Sequence, residues 1–121
     1  MRILRLFGGA LLSSLPLLAF QCSHAASEPG PQCTASIQTK IAELQALPKS
    51  NPAYEVWQYT FRGQKMYLVT ASCCDQYETL YDACLNVLCA PSGGLSGQGD
   101  GRCPEFYRLA ADRQLVWRDP R

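Results

Sequence analysis

A chain of 121 residues, 47% of them hydrophobic, is long enough for one domain with a modest core. Its 11 basic and 10 acidic side chains are too evenly balanced, and too scattered, for a surface that holds nucleic acid by charge. Seven cysteines against one histidine point to disulfides rather than to histidine chemistry.

Residues 1–25 read as a secretory signal. Arg2 and Arg5 charge the start, and Leu6 to Phe20 is apolar apart from Gly8, Gly9, Ser13, Ser14 and Pro16. Ser23-His24-Ala25 then offers small residues where a signal peptidase cuts. The apolar stretch is shorter and more broken than the roughly 20 residues of a membrane span, so no span is predicted. Cys22 stands where a lipidated cysteine would stand, but Gln21 before it is not the small residue that lipoprotein processing wants. Cleavage after Ala25 is favoured, and a lipid anchor at Cys22 is the lesser alternative. The expected location is periplasmic or secreted. Cleavage removes Arg2 and Arg5, leaving nine basic residues against ten acidic ones.

Residues 26–32 (ASEPGPQ) are polar, with two prolines and a glycine, and read as a flexible tether. Residues 33–121 form the domain. Ile37, Ile41 and Leu44 recur at helical spacing, Thr34 or Ser36 is placed to cap, and Pro48 ends the run, which predicts a helix over residues 35–46. Residues 55–61 (EVWQYTF) and 65–70 (KMYLVT) flank Arg62-Gly63-Gln64 and predict a hairpin. A type II′ turn on Gly63-Gln64 would pair Phe61 with Met66 and Tyr59 with Leu68. Trp57, Tyr59, Phe61, Met66 and Leu68 then share one apolar face for the helix to cover, while Val56, Gln58, Thr60, Lys65, Tyr67 and Val69 make a mixed face. Val87 to Cys89 reads as a short strand, and residues 90–101 (APSGGLSGQGDG) as a compact surface loop closed by Cys103-Pro104. Residues 105–111 suggest a helical turn, and residues 114–118 (QLVWR) a last strand. The fold class is α+β: one N-terminal helix packed on a small, mainly antiparallel sheet, with a long Gly-rich disulfide-bound loop.

Either processing of the signal takes Cys22 out of the thiol pool. Cys33, Cys73, Cys74, Cys84, Cys89 and Cys103 remain, an even set that reads as a disulfide framework in a short exported chain. Six cysteines allow fifteen pairings; a Cys73–Cys74 bridge is excluded as a strained ring between neighbours, which leaves twelve.

The run CCDQYETLYDACLNVLCAPSGGLSGQGDGRCPEF, the aromatic hairpin before it and the closing LVWRDPR resemble a family of small bacterial exported, cysteine-rich proteins, often lipoprotein-like. The resemblance covers roughly residues 33–119. It rests on the double cysteine followed by Asp-Gln and on the Gly-Gly-x-x-Gly-x-Gly-Asp-Gly loop. Such proteins are classed as a domain of unknown function, so the resemblance implies a fold unit and no activity. The Gln21-Cys22 junction departs from the lipoprotein pattern of many relatives.

Cleavage removes His24, the only histidine, and with it Ser-His-Asp catalysis, Cys-His catalysis and the commonest zinc ligand. No catalytic residue and no cofactor is assigned. Asp75 and Asp82 are candidate carboxylates, considered with Glu78 and Asp100 for acid-base work on a glycoside, against the plainer role of capping turns. Gly93, Gly94, Gly97, Gly99, Asp100 and Gly101 form a candidate ligand loop; Asp100 is a weak calcium candidate because the spacing is not that of an EF-hand. The C-x-x-C of redox proteins is absent. The expected function is a non-catalytic binding module for an envelope protein, a glycan or a small ligand, with Tyr67 and Tyr77 as candidate exposed contacts. The alternatives are a carboxylate-dependent hydrolase and a protease-inhibitor-like module whose rigid loop mimics a substrate.

Overall fold

The computed structural model describes residues 33–73 and 75–121. The expected signal and tether, Cys22 among them, and Cys74 lie outside the described residues.

Seven elements follow in chain order: α1 (Ile37–Ala46), β1 (Glu55–Phe61), β2 (Gln64–Val69), β3 (Tyr77–Asp82), β4 (Val87–Gly93), α2 (Phe106–Leu109) and β5 (Ala111–Arg118). The strands form one sheet in the order β4-β3-β2-β1-β5, antiparallel throughout. Strands β1 to β4 are a meander; β5 crosses back to the far side of β1. The helix is short, ten residues, and lies mid-chain rather than at the N-terminus. Ser36 holds its N-cap position, but the expected side-chain cap is not made.

The hairpin forms with a different turn. Arg62 (φ 51°) and Gly63 (φ 74°) are both left-handed, the type I′ geometry whose twist matches that of paired strands. Phe61 therefore faces Gln64, Tyr59 faces Met66 and Trp57 faces Leu68. The shift from the expected register is two residues, and a shift of two preserves which side chains share a face.

The helix covers the other face. Ile41 and Leu44 pack with Val56, Tyr67 and Val69, the face expected to be mixed. Tyr67 is thus buried, at 9% exposure, not an exposed contact. The Trp57-to-Phe61 face is covered instead by α2: Phe106 is fully buried against Tyr59, Phe61, Met66, Leu68 and Leu80. Its ring meets those of Tyr59 and Phe61 edge-on, at centroid distances of 5.1 and 5.3 Å. Each fully buried aromatic or aliphatic side chain stabilises the fold by about 1.5–3 kcal/mol.

Strand β3 was not expected. Its residues on the α2 side are Glu78, Leu80 and Asp82, of which only Leu80 is apolar, while Tyr81 packs under α1 on the other side. Strand β4 runs to Gly93, taking four residues from the expected loop.

Cys33 bonds Cys84 and Cys89 bonds Cys103. They close loops with sequence separations of 51 and 14, which in the chain-entropy account stabilise by about 4 and about 3 kcal/mol. Cys73 is disulfide-bonded too. Its partner lies outside the described residues.

Candidate functional site

Strand alternation places Glu55, Trp57 and Tyr59 of β1, Leu68 of β2 with Thr70 beyond it, and Glu78 and Leu80 of β3 on one side of the sheet. The short α2 covers only the half of this face that carries Phe61, Met66 and Leu80. The other half stays open as a cleft of about 490 Å³, floored by Trp57, Tyr59 and Leu68 and walled by Glu78, Tyr107 and Arg113. A second cavity of about 400 Å³ adjoins it through Glu78, with Gln76, Ser92 and Gly93 in its lining. Both volumes fall in the range of small-molecule sites.

Hydrogen bonds hold these side chains in place. Glu78 Oε2 accepts from Ser92 Oγ at 2.5 Å and from the Tyr107 hydroxyl at 3.1 Å. Ser92 Oγ and the Tyr107 hydroxyl are 2.9 Å apart. The Trp57 indole N–H donates to Glu55 Oε2 at 2.6 Å, and Glu55 is also ion-paired with Arg118. The Arg113 guanidinium lies over the Trp57 ring, 3.8 Å from its centroid, a cation–π contact.

Desolvation pushes the Tyr107 hydroxyl up to about 12; the bond with Ser92 opposes this, and the nearby Glu78 charge adds to it. The phenol therefore stays protonated and acts as a donor. Burial also raises Tyr59, with Arg113 pulling it down and Glu78 pushing it up.

The residues singled out from sequence fall elsewhere. Asp82 organises the β3–β4 turn: its Oδ1 accepts from the Cys84 and Asn86 backbone N–H groups at 2.8 and 2.9 Å, and its Oδ2 accepts from the Asn86 amide. Burial works against its ionisation, but these bonds outweigh it and hold the carboxyl below the usual range. Asp100 accepts from the Arg102 backbone N–H and pairs with the Arg102 side chain at 2.7 Å, and these bonds lower its carboxyl. Asp75 sits on an exposed turn. Among the described residues no three His, Cys, Asp or Glu side chains gather as a metal site.

The glycine loop folds back on β4. Gly94 N–H bonds Gln76 O, Gly99 N–H bonds Gly93 O, and Asp100 N–H bonds Ala90 O, so these donors point into the protein. Gly99, at φ 74°, lies so close to strand β4 that a Cβ would sit 2.0 Å from Ala90 O. Gly97 N–H bonds Gly94 O, making a β-turn that lifts Leu95 to 91% exposure. Tyr77 is 52% exposed beside Gly94. Of the loop glycines, Gly93 lines the second cavity.

Residues 42–119 match the family described as a domain of unknown function, DUF6970. The chain belongs to this family. The matched span takes in the second half of α1, the whole sheet and the glycine loop, so the expected domain of unknown function is the family found. No curated protein and no solved structure matches.

Sequence reasoning missed the cleft. Trp57 and Tyr59 were assigned to a face closed by the helix, while Ser92, Tyr107 and Arg113 carry no motif. The available signal was the polar sequence of one face, Glu55 and Thr70 beside Trp57, with Glu78 on an unrecognised strand.

Proposed function

We propose that this protein is a non-catalytic binding module of the periplasm or the exterior, which holds a small polar ligand in the cleft on the α2 side of the sheet. The observation that carries this reading is Glu78: a half-buried carboxylate on the wall between two adjoining cavities, positioned by two hydroxyl donors and with no cationic partner among the described residues. Concave sites with an aromatic floor and a few converging polar groups are the usual form of a ligand site.

The location rests on the signal read from residues 1–25, with processing after Ala25 preferred to a lipid anchor at Cys22, and on domain limits of residues 33–121. Disulfides accord with an oxidising compartment. Among the described residues no helix is long and apolar enough to cross a membrane. The glycine loop acts in this reading as a frame that holds Ser92 and Gly93 against the cleft. A protease-inhibitor role is less well supported, because bound peptide strands are extended and the loop tip is a closed β-turn. Hydrolysis by Asp82 and Asp100 is likewise less favoured, because turn donors already occupy both carboxylates.

The test is a thermal-shift screen of small polar molecules, followed by amide chemical-shift mapping of the hits. A ligand at about 100 times its dissociation constant should stabilise the fold by about 2.7 kcal/mol. The expected hits shift residues of β1, β3 and α2 and lose their effect in a folded Trp57→Ala variant. Hits that map only to the α1 face or to the Leu95 turn would refute the cleft.

A further inference from the structure

The cleft holds two opposite charges that do not neutralise each other. Glu78 stands on one wall, on β3, and Arg113 on the other, on β5. Among the described residues neither is in an ion pair. The other carboxylate of the cleft, Glu55, is already balanced by Arg118. Glu78 uses Oε2 for both Ser92 and Tyr107, and Oε1 accepts no hydrogen bond among the described residues. The Arg113 side chain makes no hydrogen bond among the described residues and lies over the Trp57 ring, which leaves its N–H fork open. Tyr59, on the floor, feels both charges.

We propose that the cleft takes a zwitterion, a small molecule with a protonated amine and a carboxylate, the amine held by Glu78 and the carboxylate by the Arg113 fork. The inference rests on the cleft being the ligand site and adds the chemical class of what enters it. A simple anion would meet Glu78 unpaired, and a simple cation would meet Arg113. A neutral ligand that expelled water would strip solvent from both charges and return a partner to neither, which is costly. Only a ligand with both signs satisfies both walls. The bidentate geometry of guanidinium and carboxylate suits the Arg113 side, and a compact ammonium suits the free Oε1.

Size narrows the class. The Arg113 guanidinium lies over Trp57 on β1, and Glu78 on β3 is two strand spacings across, about 10 Å, and two residues along, about 7 Å, a diagonal of about 12 Å. A charge-assisted hydrogen bond of about 2.8 Å at each end leaves roughly 6 Å between the ligand's charged atoms. That is the scale of a dipeptide or of an amino acid with a lengthened backbone, and a longer peptide would have to fold or overhang.

The experiment titrates the full oxidised protein with glycine, β-alanine, diglycine and triglycine, followed by calorimetry and by amide shifts of β1, β3 and α2. N-acetyldiglycine and diglycine amide serve as one-charge controls, and a neutral disaccharide as the uncharged one. Binding is expected to peak at one of the short zwitterions and to weaken about tenfold or more when either end is capped. Glu78→Gln should cause the same loss for the amine end and Arg113→Gln for the carboxylate end, each in a variant whose amide spectrum shows the native fold. The capped ligands test the wild-type protein, so a variant that fails to fold does not remove the test. Equal binding of capped and free peptides would overturn the proposal. If the disaccharide shifts the cleft while no zwitterion does, the charge pair is wrong and the cleft stands as the ligand site. If zwitterions bind but shift only the α1 face, both readings fall.

Discussion

The two faces of the sheet are finished differently. On one, the ten-residue α1 lays Ile41 and Leu44 over Val56, Tyr67 and Val69. On the other, the four-residue α2 buries Phe106 and stops, so that Glu55, Trp57, Thr70 and Glu78 face an open cleft. A cover of one helical turn can seal only the apolar half of a five-stranded sheet. The half left open is the half whose inward side chains are polar or amphipathic. Stability and candidate function thus share one face, divided by the reach of α2.

The contrast can be broken most sharply at Phe106. Phe106→Ala should destabilise the fold by about 3–5 kcal/mol, because a fully buried ring is removed from between Tyr59 and Phe61, and urea unfolding would measure it. It should also loosen Tyr107 and so the grip on Glu78, visible as lost ligand response in the cleft. On the closed face, Leu44→Ala should cost about 2–4 kcal/mol by the same measurement and leave ligand response unchanged. Equal loss of response from both variants would show that the faces are not separable.

The glycine loop gives a smaller contrast. Gly99→Ala forces a Cβ into the backbone of β4, whereas Gly97→Ala meets open space and bears only the left-handed strain that both share. The first should exceed the second by about 1–3 kcal/mol in chemical denaturation. It should also disturb Ser92, whose backbone nitrogen lies 2.8 Å from that Cβ position.

The smallest effect concerns how α1 is anchored. Arg121 donates to Leu47 O at 3.0 Å and to Leu44 O at 3.5 Å, and pairs with the buried Asp119. Bonds from the Arg121 side chain, opposed by desolvation and helped by the Arg121 backbone N–H, pull Asp119 from 3.8 to about 2. A lowered carboxyl contributes stability that is complete above its unfolded value and lost as pH falls through its folded value. The thermal midpoint should therefore decline between about pH 4 and pH 2, and Asp119→Asn should flatten that part of the profile. An unchanged slope in the variant would place the acid sensitivity elsewhere.

Several elements were legible because their signals are local. The helical spacing of Ile37, Ile41 and Leu44 and the alternation in β1 and β2 each follow from side-chain period. The face shared by Tyr59, Phe61, Met66 and Leu68 survived even a wrong turn type, because the error shifted the register by an even number. Strand β3 was not legible, because two of its three residues on the α2 side are carboxylates and its other face, Tyr77, Thr79 and Tyr81, carries no aliphatic residue. Asp82 was expected to border a turn and does; Glu78, four residues earlier on the same strand, turned out to be the residue at the centre of the cleft.

The sequence alone determined the α+β class, the hairpin and which of its residues share a face, the commitment of cysteines to disulfides, and the family. All of these depend on period, composition or motif within a short window. The tertiary structure decided which face α1 covers, where α2 stops, which cysteines pair, and that Glu78 and Arg113, 35 positions apart in sequence, line one cleft. A strand with two amphipathic faces offers either one to a helix, and only the long-range fit of β5 beside β1, with α2 delivered by the Cys89–Cys103 loop, selects between them.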